Sequence, residues 1–254
     1  MGRNAKKGII TFVQTGLRGL GCELVPYPPR EWTRAKNTLQ SVLTKRAINC
    51  VLDVGGNEGQ YGKQLRGIGY NGRIVSFEPV RSTFDILART AAEFGDSWRT
   101  LPYALGAIET RAEINVAVES VFSSFLEARQ DSLERFPENR ASRAEVVQVK
   151  RLDDVLAECI DGIESPRIYL KLDTQGYDLE VIRGATESLP KIQALQAEVS
   201  FKPIYQSMTG YQETIATLVA QGFDVVDFMP VTRDREGLAV IEMDCVMVRR
   251  EACL

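Results

Sequence analysis

The run Val51-Leu52-Asp53-Val54-Gly55-Gly56-Asn57-Glu58-Gly59 carries an apolar strand straight into a glycine-rich turn that opens a helix. Gly55 and Gly59 allow a tight bend and let a ligand approach where a Cβ would collide. Asn57 breaks the G-x-G-x-x-G spacing, which weakens a pyrophosphate reading, because that group wants bare backbone N–H donors at a helix N-terminus. Asp53 suits a ligand with an ammonium instead. About 20 residues on, Phe77-Glu78-Pro79 closes the next apolar run, and an acidic side chain at that edge can accept both hydroxyls of an adenosine ribose.

The elements that must position these residues follow from the apolar pattern. Short β runs at 50–54, 74–78, 100–105, 168–172 and 195–199 alternate with longer helical stretches, as in a parallel sheet with helices on its faces. A polar stretch at 119–142, holding Ser123 and Ser124, reads as an active-site loop or lid. Residues 146–149 read as a short strand, and 152–158 as a helix with Asp153 and Asp154 in its first turn. Residues 211–221 form a helix stopped by Gly222. Two β runs, 223–228 and 239–248, are joined by a charged turn at 232–237, which puts one antiparallel strand in the sheet. Upstream, 31–46 is helical with Trp32, Leu39, Val42 and Leu43 facing inward, and 8–24 is an amphipathic helix that packs on the body or lies on a membrane surface.

Five βα repeats and a terminal antiparallel hairpin are the element order of Rossmann-like class I methyltransferases. The expected fold is α/β: a mostly parallel seven-stranded sheet with a C-terminal antiparallel hairpin and helices on both faces. From about Asn49 to Arg249 the sequence resembles the FkbM methyltransferases. The resemblance rests on the turn at 53–59, on Phe77-Glu78-Pro79, Ala104-Leu105-Gly106, Ser123-Ser124 and Arg151-Leu152-Asp153-Asp154, and above all on the long run 170–185 around Leu172-Asp173-Thr174-Gln175-Gly176-Tyr177-Asp178. It implies an S-adenosylmethionine-dependent O-methyltransferase acting on hydroxyls of sugars, glycolipids or glycosylated natural products. It further implies a cofactor site at Asp53, Gly55, Gly56, Asn57, Gly59, Glu78, Pro79, Ala104, Leu105 and Asp173, with Ser123, Ser124, Gln175, Tyr177 and Tyr205 toward the substrate. One departure stands out: the family often has glutamate where this chain has Asp178.

Ligands of open α/β sheets lie outside the C-terminal strand ends, where Asp173 closes the fourth run and Glu198 the fifth. Lys171, two residues before Asp173, shares its strand face. Asp173, with Glu198 and Lys171, is therefore placed near the transferred methyl. A desolvated carboxylate there could take the hydroxyl proton; equally, Asp173 and Thr174 could cap the next helix. Asp173, Asp178 and Glu198 are oxygen ligands of the kind Mg²⁺ accepts, but no spacing specific to a metal site is present. Tyr205 and Tyr211 could stack on a sugar ring or fill the core.

Composition narrows the alternatives. Histidine is absent, which excludes Ser-His-Asp hydrolysis, His-ligated zinc and histidine bases. The net charge of -3 argues against nucleic acid as partner, and the resemblance implies a small-molecule or glycan acceptor. No run reaches the ~18 apolar residues of a membrane span, so membrane contact would be peripheral, through 8–24. Five scattered cysteines read as the reduced thiols of a cytoplasmic protein. The expected organisation is a helical extension, 1–48, packed on a methyltransferase domain, 49–254. A nicotinamide oxidoreductase would also use the glycine turn and Glu78, but needs a Tyr-x-x-x-Lys constellation that is missing at a matching place. A non-catalytic scaffold would not need Asp53, Glu78 and Asp173 in usable positions.

Overall fold

The computed structural model describes residues 30–234 and 238–250. The expected amphipathic segment 8–24 lies outside them. The chain divides into two units, residues 1–39 and 40–254, and every site feature belongs to the second. Among the described residues no helix is long and apolar enough to cross a membrane.

Helix α1 (Arg30–Lys45) precedes β1 (Cys50–Val54), and the glycine turn then opens α2 (Gln60–Gly67). β2 (Arg73–Phe77), α3 (Arg81–Ala92) and β3 (Trp98–Leu101) follow. Next come β4 (Ala104–Leu105), β5 (Thr110–Ala117), α4 (Gln130–Arg135) and β6 (Ala141–Lys150). The chain returns through α5 (Leu152–Cys159), β7 (Ile168–Leu172), α6 (Asp178–Arg183), β8 (Ile192–Ser200) and α7 (Tyr211–Ala220) to the hairpin β9 (Phe223–Arg233) and β10 (Val240–Arg249).

Seven strands form one sheet in the order β3-β2-β1-β7-β8-β10-β9. The β1, β2, β3, β7 and β8 pairings are parallel, and β10 inserts antiparallel between β8 and β9. This is the fold the sequence predicts. The order reverses at β1, which has β2 on one side and β7 on the other, so a crevice opens at their C-terminal ends. Alternation along each strand sorts the two faces. Leu52, Val54, Leu170, Leu172, Leu195 and Ala197 join Leu152, Leu156, Val181 and Leu218 of α5, α6 and α7 in the main core. Asp53, Ser76, Lys171 and Glu198 lie on alternate positions of these strands and turn to the opposite face, where α3 approaches through Leu87 beside Gly56 and Ser76.

Two expectations need correction. The run 100–105 is not one strand: β3 ends at Leu101, and Ala104–Leu105 pairs with Val149 and Lys150 in a separate three-stranded sheet, β4-β6-β5. Pro102 intervenes, and a residue without an N–H cannot continue a central ladder. The short strand expected at 146–149 is a ten-residue strand, β6, paired antiparallel with β5. The alternation of Ala112, Ile114 and Val116 with Arg111, Glu113 and Asn115 marks β5 in the sequence. The polar stretch 119–142 is ordered by α4 and by bridges Asn115–Ser124 and Ala128–Tyr205, so it forms a strap packed on the body.

Gly55 is where the two central strands close on one another. Its φ is +79°, and a Cβ would collide with the backbone carbonyl of Asp173. Gly69 has φ +88° with open space around it. Gly69→Ala should cost ~1–2 kcal/mol from left-handed strain alone, and Gly55→Ala clearly more, because the strand ends must also separate. Urea unfolding of both variants checks this; equal losses would contradict the close approach.

Candidate active site

The turn after β1 is fastened to β2. The N–H groups of Gly55 and Gly56 donate to the Phe77 carbonyl at 3.1 and 2.9 Å. Glu78, just beyond β2, accepts the Asn57 N–H on Oε2 at 3.0 Å and the Val80 N–H on Oε1 at 2.9 Å. Both oxygens are thereby fixed while each keeps acceptor capacity. Burial pushes the Glu78 carboxyl up to about 7, against the pull of those two donors. Asn57 adopts φ +45°, a conformation asparagine tolerates better than most residues.

Behind the turn lies a buried charge cluster. Asp53 is fully buried, and its Oδ2 accepts the Ser76 hydroxyl at 2.8 Å. The Trp98 indole N–H donates to that same hydroxyl at 3.0 Å. Lys171 Nζ lies 3.3 Å from Asp53 Oδ1, a charge contact without hydrogen-bond geometry, and donates to Asp173 Oδ2 at 3.1 Å and to the Gly55 carbonyl at 3.3 Å. Its ammonium also sits 5.2 Å from the Tyr61 ring centroid. Burial disfavours the Lys171 charge, but the carboxylates of Asp173 and Asp53 outweigh it and hold the ammonium charged. Lys171 is thus a fixed cation and cannot serve as a base.

Asp173 leads toward solvent, its side chain 42% exposed. It caps nothing: Tyr177 is the N-cap of α6, and Asp178 Oδ1 accepts the Thr174 N–H at 3.1 Å. The second oxygen of Asp178 accepts the Glu198 N–H at 3.2 Å, which ties the end of β7 to β8. Between the two outer carboxylates lies Gln175, whose Nε2 donates to Asp173 Oδ1 at 3.0 Å and to Glu198 Oε2 at 3.2 Å. Glu198 is pushed well up, first by burial and then by the charges of Glu242, Asp173, Asp244 and Asp178. Cross-strand pairing sets Asp244 opposite Glu198 and Glu242 opposite Ser200. Among the described residues no group of three or more acidic or cysteine side chains is arranged to hold a metal ion.

Beside this arrangement of a glycine turn, an anchored carboxylate one strand over and buried acids at the next strand ends, the sequence matches the family described as Methyltransferase FkbM domain over residues 53–225. This chain belongs to the FkbM methyltransferases. No curated protein matches it. Among solved structures, fibrillarin from Aeropyrum pernix, in complex with natively bound S-adenosyl-L-methionine, is similar at TM-score 0.45 and 12% identity, over 83% of this chain and 74% of that one. A precorrin-6y C5,15-methyltransferase from Geobacter metallireducens is similar at TM-score 0.44 and 11% identity, over 90% and 94%. An rRNA methylase from Streptococcus thermophilus is similar at TM-score 0.45 and 8% identity, over 89% and 100%.

In this FkbM methyltransferase the structure gathers Gly55, Asn57 and Glu78 at the crevice, with Lys171, Asp173, Gln175 and Glu198 alongside. It treats other sequence-predicted residues differently. Ala104 and Leu105 are buried in the small sheet, with Leu105 in the main core. The Ser123 hydroxyl accepts the Ala117 N–H, and the Ser124 hydroxyl donates to the Gln175 carbonyl at 2.8 Å, so both shape the strap. Tyr177 packs on Phe125 of the strap, ring centroids 4.7 Å apart. Tyr205 is 1% exposed and offers no face to a sugar; the exposed ring nearby is Phe201, stacked on Tyr211 at 4.2 Å. Sequence reasoning missed Ser120, whose hydroxyl donates to Asn57 Oδ1 at 3.0 Å, and also Glu242 and Asp244. The alternating carboxylates of 242 and 244 in the last β run were the available signal.

These buried acids make stability depend on pH. Burial raises Asp178 to about 6 and Glu242 and Asp244 to about 7, as it does Glu78. Their folded values lie above the ordinary carboxylate range, so the native state keeps protons that the unfolded chain has released. Stability therefore falls as pH rises from about 4 through 7. Thermal unfolding should show a higher Tm at pH 5 than at pH 8, with a flatter profile for Glu242→Gln. A Tm that climbs from pH 5 to pH 8 would contradict this electrostatic account.

Proposed function

We propose that this methyltransferase uses S-adenosylmethionine and transfers its methyl group to a hydroxyl of a sugar or a glycosylated small molecule. The observation that carries the reading is the pair of carboxylates, Asp173 and Glu198, bridged by one amide beside the glycine turn. The donor set fits that cofactor: Glu78, with both oxygens anchored, has lone pairs left for two ribose hydroxyls, and Asp173 has an exposed carboxylate for an amine. When bound, S-adenosylmethionine supplies an electrophilic methyl on a sulfonium. Asp53 then acts from behind, through Lys171, rather than by touching the amine.

A hydroxyl that attacks a methyl carbon must lose its proton as the new bond forms. Glu198 is suited to take it on a carboxylate oxygen, because burial and neighbouring charge raise its basicity toward that of a useful base. The rest of the barrier reduction comes from holding two reactants in one crevice. The net charge of -3 and the acidic strand ends favour a hydroxylated acceptor without phosphates. A nicotinamide reading is disfavoured by the same acids, which would repel a pyrophosphate.

Two outcomes test this reading. Glu78→Ala should weaken S-adenosylmethionine binding at least ~10-fold in calorimetry, since charge-assisted bonds are worth ~1.5–3 kcal/mol each; unchanged affinity would remove the ribose assignment. Glu198→Gln should lower kcat ~10²-fold on a glycoside acceptor with cofactor affinity little changed. Undiminished turnover in that variant would eliminate Glu198 as proton acceptor.

A further inference from the structure

Gln175 occupies a position that the methyl-transfer reading alone does not explain. Four hydrogen bonds converge on it. Its Nε2 bridges Asp173 and Glu198, its Oε1 accepts the Tyr205 hydroxyl at 2.9 Å, and its backbone carbonyl accepts the Ser124 hydroxyl. The backbone is held at φ +54°, in the left-handed region. Two of these four partners lie at strand ends that carry the chemistry. The others belong to the strap and to the segment after β8.

The amide can point only one way. Turned over, its oxygen would face two carboxylates and its nitrogen the Tyr205 hydroxyl, losing both bridging bonds. Tyr205 holds the favourable sense. Its ring is buried with Ile204 and Ile241 against Phe122, Leu126 and Met208, so the hydroxyl is presented from a packed position. The same hydroxyl lies 2.9 Å from the Phe122 carbonyl of the strap, and one hydrogen serves one acceptor at a time.

The amide also stands among acids. Glu198 is faced by Asp173 and Gln175 from the loop after β7, by Asp178 from α6, by Glu242 and Asp244 from β10, and by Tyr205. Lys171 is engaged by Asp53, Asp173 and the Gly55 carbonyl. A neutral donor shared between the two acids shields Glu198 from the charge of Asp173, which otherwise adds to the burial that pushes it up.

We propose that Gln175 is a positioning residue that holds Asp173 and Glu198 in one fixed arrangement, and that Tyr205 acts on the reaction only by setting the sense of the Gln175 amide. This rests on the reading that Asp173 meets the cofactor's amine and Glu198 takes the proton of the reacting hydroxyl. It adds that the strap and the catalytic strand ends are linked through a single side chain.

A double-mutant cycle on the full chain tests it, with Gln175→Ala, Tyr205→Phe and the pair assayed together. Gln175→Ala should lower kcat ~10²-fold and move the acid limb of the pH–rate profile upward, while S-adenosylmethionine affinity stays within a few-fold. Tyr205→Phe should lower kcat less, with the same upward shift, and should cost nothing further in the Gln175→Ala background. Additive losses would overturn the relay. Carbon-13 titration of Glu198 in the wild type and in Tyr205→Phe, which deletes one oxygen and keeps the packing, gives a readout independent of turnover. An upward shift is expected, and an unmoved titration would overturn the shielding by Gln175. If the titration moves and the rate profile does not, the positioning stands and the assignment of Glu198 as proton acceptor fails.

Discussion

A single buried ammonium organises the crevice. Lys171 reaches from β7 to Asp53 on β1, to the Gly55 carbonyl in the glycine turn and to Asp173 beyond its own strand. A charge so deeply buried is tolerated only with partners, and these partners are what the site needs held still. The ion cluster fixes the turn to the strand end, and Ser76 and Trp98 extend the network to β2 and β3. Glycine at 55 is the steric counterpart: the strands approach so closely there that the backbone of Asp173 occupies the place of a side chain.

The cluster also sets a limit. Lys171 compensates Asp53 and Asp173 directly and Asp244 more weakly, while the carboxylates of Glu198, Glu242 and Asp244 continue along the same face toward β10. They are balanced by neutral donors and by protons. Their basicity rises as a result, which destabilises the fold above neutral pH and, in the proposed mechanism, suits Glu198 to receive a proton. Stability is given up where reactivity is needed, a trade common at functional sites.

Much of this was legible in the sequence, for identifiable reasons. Glycines at 55 and 59 and the acid at 78 are local features, fixed by turn and strand-end geometry that a linear pattern displays. The sheet and its terminal hairpin follow from apolar periodicity. The run 100–105 misled because the apolar residues on either side of Pro102 read as one strand and hide a change of sheet at that proline. Ser123 and Ser124 were found as a pair but not in their role, since a hydroxyl's partner depends on where the strap folds back. For Tyr205 the sequence leaves a sugar-stacking ring and a core residue both open, and the structure places it in the interior, because the packing of the strap over 204–208 has no one-dimensional signature. Ser120 and Glu242 meet the site through partners 63 residues away and across a strand pairing, respectively, distances no spacing rule spans.

The most direct test of the whole account is a crystal structure of the full chain with S-adenosylhomocysteine. The ribose hydroxyls are expected on Glu78, the nucleoside against the 55–59 turn, and the sulfur facing the carboxylates that Gln175 bridges. A ligand bound elsewhere, or one whose sulfur points away from Asp173 and Glu198, would contradict it.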